Sequence, residues 1–217
     1  MTQNAFILVI SNIQGSSLLE KLLKKRDCNK IYRTLKFFTD LAAFRDSRMF
    51  LLHHALFSDL IEFILSVKKL DSNQKAMEEV VLFLRNMSFS QDMKTYLSSK
   101  HEALHLLLQQ IYNFTKSPRM ASFASSSLWA LLYKSQKMKA CIRNLNNTIE
   151  RLFDAEAELL VYCRNLDADS TGSDVNYINE THHHLHQITK ILSKGESGEF
   201  NSSGGSPVSI LGPVLEE

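Results

Sequence analysis

The chain has 217 residues, 44% of them hydrophobic and 22% charged, and a formal net charge of +2. That length holds one good-sized core or a short repeat array, and that charge commits the molecule to neither nucleic acid nor a membrane surface. From Ser16 to Thr171 there is no glycine and one proline, Pro118. An all-β or α/β domain is thereby deprived of its turn residues, and a phosphate of its glycine-rich loop.

The apolar run Ala5 to Ile10 is too short to span a membrane, and no basic residue precedes it as a secretory signal requires. Leu18, Leu19, Leu22 and Leu23 share one face of a first helix, with Ser17 and Glu20 as a capping box. Ile31, Leu35, Phe38, Leu41 and Ala42 keep the helical period in a second, and Leu56, Leu60, Ile61, Ile64 and Leu65 in a third. Met77, Val80, Val81, Leu84 and Met87 form a fourth, opened by Asp71 or Ser72. Leu104, Leu107, Leu108 and Ile111 follow. Ser117-Pro118 reads as an N-cap and first helical position for a helix carrying Leu128, Leu131 and Leu132. A long helix carries Ile149, Leu152, Phe153, Leu159 and Leu160.

Composition shifts at Asp167. The sequence organises into an N-terminal segment (1–15), a helical region (16–166), a polar linker (167–176) and a C-terminal helix (177–194) bearing Ile178, Leu185, Ile188, Ile191 and Leu192. A Gly/Ser-rich tail (195–217) is expected to be disordered. Cys28, Cys141 and Cys163, odd in number and widely spaced, build neither a disulfide framework nor a metal pattern. They read as reduced, buried thiols of a cytosolic protein.

One segment repeats. Ser90-Gln91-Asp92-Met93-Lys94 recurs 45 residues later as Ser135-Gln136-Lys137-Met138-Lys139. Both copies follow an apolar helix end, and Ser47-Arg48-Met49 makes a fainter upstream copy with Met49 44 residues before Met93. A period near 45 with two or three helices per unit is that of armadillo and HEAT arrays. The expected fold is therefore all-α, an armadillo-like right-handed stack from Ser16 to Leu166, each unit holding long helices and one short helix.

The segments Leu84-Arg85-Asn86 and Leu128-Trp129-Ala130-Leu131 resemble the third helix of armadillo repeats. The stretch from Val80 to Cys141, above all Ser127-Leu128-Trp129-Ala130-Leu131-Leu132 with Lys137-Met138-Lys139-Ala140, resembles the C-terminal armadillo-like end of rotatin. Rotatin-family proteins are large scaffolds of centrioles and ciliary basal bodies, far longer than this chain. The resemblance implies a non-enzymatic scaffold segment of the cytoplasm and cytoskeleton, at the centrosome or basal body, with other proteins as partners. The alternatives are a generic cytosolic armadillo/HEAT adaptor and, from another class, a helical metal-binding protein or enzyme that uses the histidines.

Armadillo grooves of the importin α type pair a Trp with an Asn four residues later. Here Tyr133 stands four residues after Trp129, and Leu82 four before Asn86. That disfavours nuclear-signal binding, and leaves Trp129, Leu84 and Leu131 as structural, with Trp129 anchoring the core between units. Arg85 and Asn86 are candidate partner-binding residues. From Ala103 to Ile149 there is no acid, while Lys116, Arg119, Lys134, Lys137, Lys139 and Arg143 are basic; from Glu150 to Glu180 eight acids face two arginines. Lys134, Lys137, Lys139 and Arg143 therefore either meet an acidic partner or are neutralised by the acidic helix that follows. His182, His183, His184 and His186 form the one metal-like cluster, read as a solvated helix face. No spacing argues a triad, a carboxylate pair or a reactive thiol, so no catalytic, metal or cofactor site is expected.

Overall fold

A computed structural model describes residues 15–67, 74–165 and 172–193, and among them every regular element is a helix. The chain divides into two compact units, Met1–Phe83 and Leu84–Glu217. The first holds α1 (Gly15–Lys25), α2 (Cys28–Ala42), α3 (Arg45–His53), α4 (Phe57–Val67) and most of α5 (Gln74–Ser88). The second holds the end of α5 and α6 (Gln91–Leu97), α7 (His101–Tyr112), α8 (Pro118–Leu132), α9 (Gln136–Arg143), α10 (Thr148–Asn165) and α11 (Ser173–Ser193).

In the first unit α1 lies on α4 and α2, and α3 packs on α2 and α4. The periodic residues meet as their spacing demands: Leu19 and Leu22, Ile31, Leu35 and Phe38, then Leu60, Ile61 and Ile64 are all buried. Asp27 caps α2 by accepting from Lys30 N at 3.1 Å, and its carboxyl is held below the usual range by that lysine. Thr39 Oγ1 donates to Glu79 O at 3.1 Å, tying α2 to α5. Arg48 donates to Ala42 O and Ala43 O and so satisfies carbonyls at the end of α2.

In the second unit α7 packs on α8, α8 on α11 and α11 on α10. The repeated pentapeptides occupy like places. Ser90 and Ser135 are the N-caps of the short helices α6 and α9, which touch one another, and Met93 and Met138 are both fully buried. Ser135 Oγ accepts from Met138 N at 3.2 Å. Read in order, α3–α4–α5, α6–α7–α8 and α9–α10–α11 are each a short helix followed by two longer ones. The faint copy departs from the others, since Met49 is 40% exposed.

Several sequence readings need correction. Helix α1 already runs at Gly15, so Ser17 lies inside it and does not cap it. The C-terminal helix starts at Ser173, within the stretch read as linker, and packs on α8. Cys28 is exposed, and Cys141 and Cys163 are half-buried. Phe153 faces outward at 43% exposure. The caps expected at Asp71 or Ser72, the run Ala5 to Ile10 and the Gly/Ser tail fall outside the described residues. No single helix among the described residues is long and apolar enough to cross a membrane.

Without glycine, left-handed backbone falls to residues with side chains: Arg26, Lys134 and Asn147 have φ of 49°, 54° and 53°. For an L-residue this conformation costs about 1–2 kcal/mol, which glycine avoids. Arg26 is exposed beyond α1. Arg26→Gly is therefore expected to raise stability by about 1 kcal/mol in chemical denaturation.

Candidate protein-binding surface

The second unit gathers its functional-looking side chains where α5 ends and where α8 meets α11. Helix α8 is rich in small residues, and Ala121, Ser122, Ala124, Ser125 and Ser127 are buried. Small side chains let a neighbouring axis approach closely, and α11 takes that place. Of the hydroxyls of Ser122, Ser125 and Ser127, the first two find partners there, and that of Ser127 finds none among the described residues. Ser122 Oγ donates to Glu180 Oε2 at 2.6 Å. Ser125 Oγ donates to Ser122 O and lies 3.0 Å from His184 Nδ1. With the hydroxyl proton so used, the neutral ring donates from Nδ1 to Oγ.

Ser125 and His184 have the separation of a nucleophile and its base. Ser125, however, is completely buried and donates to the Ser122 carbonyl, so in this structure the pair joins α8 to α11. Burial, then the neighbouring His183 and Arg85, drive the His184 pKa from 6.5 down to about 4. The histidines are thus not one solvated face. His184 is packed inward, His183 lies outward, and His186 Nδ1 lies 2.9 Å from Glu156 Oε1 on α10. Thr189 Oγ1 donates to the other oxygen of Glu156 at 2.6 Å, which ties α11 to α10. No group of three or more metal-ligating side chains converges among the described residues.

Trp129 of α8 lies against α11. It is half-buried, its ring centroid 5.8 Å from His183 and 5.4 Å from His184, so α11 shields one side of the indole. Leu84 and Leu131 are completely buried. Asn86 is 4% exposed, which denies it the peptide-facing role its sequence position suggests. Arg85 is half-buried with its guanidinium 5.3 Å from the Phe123 ring centre, and Arg119 lies over the same ring at 5.4 Å. Burial pulls the Arg85 pKa below its usual range, and the charge of Glu180 opposes that shift. Tyr177 of α11 meets Phe123 edge-on at 6.1 Å. The result is a surface of aromatic rings and charged tips drawn from α5, α8 and α11.

The basic candidates separate. Arg143 Nη2 donates to Leu192 O at 3.1 Å and so closes the last turn of α11. Lys134 and Lys137 are exposed and Lys139 is half-buried. Among the described residues no carboxylate comes within 4 Å of these three lysines. Neutralisation by the acidic helix, one of the two readings of the sequence, therefore does not take the form of ion pairs there. Glu156 and Glu180 are engaged with α11 and α8 instead. Serine at Ser122 and Ser125 was the available signal for the α8–α11 contact, since small polar residues in a buried helix mark close approach. Nothing local pointed to their partners 58 and 59 residues away.

A comparison with family models, curated proteins and solved structures finds no match for this chain.

The unfolded chain takes up a proton at His184 near pH 6.5, whereas the folded ring resists it down to about 4. Stability is therefore complete above the unfolded value and falls as pH drops through that window, by up to about 3 kcal/mol. His184→Phe is expected to flatten this slope between pH 6.5 and 4 in denaturation at a series of pH values. An unchanged slope would assign the acid sensitivity to other groups.

Proposed function

We propose that this chain is a non-enzymatic protein-binding scaffold segment, built as an armadillo-like right-handed stack and active in centriole or ciliary basal-body assembly. The observation that carries the first half is the threefold order of one short and two longer helices. The third-place helices α8 and α11 lie against each other, as do the short helices α6 and α9. Helix arrays of this kind bury a continuous core between neighbours and leave one helix row to meet partners. Asn176, Asn179, His183, His186 and Lys190 are exposed on α11 and form a polar outer row. Partners dock by burying side chains on the aromatic and charged surface around Phe123.

The location rests on the resemblance of Val80 to Cys141 to the rotatin C-terminus. Ciliated cells expressing the tagged chain test it by imaging and proximity labelling. Discrete puncta at centrioles, with centriolar proteins labelled, are the expected result. Diffuse cytosolic signal with unrelated neighbours would overturn the location and favour a generic armadillo/HEAT adaptor.

A further inference from the structure

The two copies of the repeated pentapeptide differ at one charged place. Helix α6 carries Asp92 in its first turn, whereas α9 carries Lys137 there and no acid at all. An acid is the favourable residue in a first turn, since the helix dipole is positive at that end, and a lysine is not. The charge of Lys137 is therefore not favoured by the dipole of α9.

Other cations stand beside it. Tyr133 caps α8, and Lys134 follows in left-handed backbone at the turn into α9. The Lys134 ammonium lies 5.3 Å from the centre of the Tyr133 ring. The Lys94 ammonium lies 5.8 Å from that centre and donates to Tyr133 O at 2.7 Å. Lys94 is only 7% exposed, and among the described residues no carboxylate lies within 4 Å of it. Desolvation lowers its pKa, Tyr133 opposes that shift, and the Lys134 charge adds to it. Thus Lys94 and Lys134 lie at one tyrosine and Lys137 follows in the first turn of α9, and among the described residues no carboxylate comes within 4 Å of any of the three.

We infer that the Tyr133–Lys137 turn, with Lys94 beneath it, is a docking surface for an acidic segment of a partner protein, one carrying clustered Asp and Glu. The carboxylates would supply the negative charge that Asp92 supplies in the other copy and that α9 lacks. Charge complementarity favours a peptide over nucleic acid. A nucleic acid presents a charge about every 1.7 Å and needs a long basic track. Here the basic run of sequence ends at Ile149, and the residues from Glu150 to Glu180 carry eight acids against two arginines. The inference deepens the scaffold reading and rests on it.

The test uses the full chain and a fluorescein-labelled poly-glutamate peptide, with fluorescence anisotropy at low and physiological salt. The expected result is salt-sensitive binding, because the attraction is screened over about 8 Å at physiological ionic strength. Lys134→Glu/Lys137→Glu is expected to weaken it about tenfold or more, and Lys134→Gln/Lys137→Gln by less. Lys21→Glu/Lys25→Glu, the same change in net charge on exposed lysines of α1, is expected to leave binding near that of the unaltered chain. Circular dichroism confirms that each variant is folded. The inference is overturned if both glutamate pairs weaken binding equally, if the unaltered chain does not bind, or if a single-stranded RNA oligonucleotide binds more tightly at the same salt. Failure here with centriolar labelling intact removes only this inference. Binding here without centriolar labelling removes only the location.

Discussion

The second unit depends on how closely α11 approaches α8. Ala121, Ser122, Ala124 and Ser125 offer a surface too low for interlocking large side chains. Ile178, Leu185 and Ile188 of α11 are buried, and apolar burial contributes about 25 cal/mol for each square ångström. It is supplemented by hydrogen bonds whose donors would otherwise be stranded in a dry contact. Glu180 and His184 complete that requirement from α11, and Glu156 does the same between α11 and α10. The half-shielded state of Trp129 and the edge contact of Tyr177 with Phe123 both follow from where α11 settles.

The helical class could be read from residues because it rests on local physics. A chain without glycine over so long a stretch has few ways to turn, and the period of Leu60, Ile61 and Ile64 or of Leu104, Leu107 and Leu108 survives as buried faces. The pentapeptide was legible for the same reason, since a buried methionine three residues after a capping serine recurs in α6 and α9. Site residues were harder. Asn86 and Trp129 looked alike in sequence as third-helix residues. Their exposure differs because one lies on the inward side of α5 and the other lies beside α11. The periodic pattern around Phe153 likewise marks a helix without saying how much of its circumference is covered.

The charge pattern shows a related limit. Sequence places a basic stretch next to an acidic one, and the simplest expectation is that they cancel. In the structure the acids Glu156 and Glu180 bond hydroxyls and an imidazole, which hold helices together. The one basic residue of the set engaged with α11 is Arg143, and it meets a backbone carbonyl. Proximity along the chain does not decide pairing, because helix faces turn neighbours away from one another within two residues.

The left-handed residues Arg26, Lys134 and Asn147 bear on how this chain acquires its shape. A glycine beyond a helix is a stop signal that works in an isolated peptide, since it acts through the backbone alone. Arginine and lysine are good helix formers and give no such signal. The local signal stands one residue later, where Asp27 and Ser135 cap the helices that follow by accepting from Lys30 N and Met138 N. Each of these two boundaries is thus marked by the start of the next helix rather than by a stop residue in the one before it.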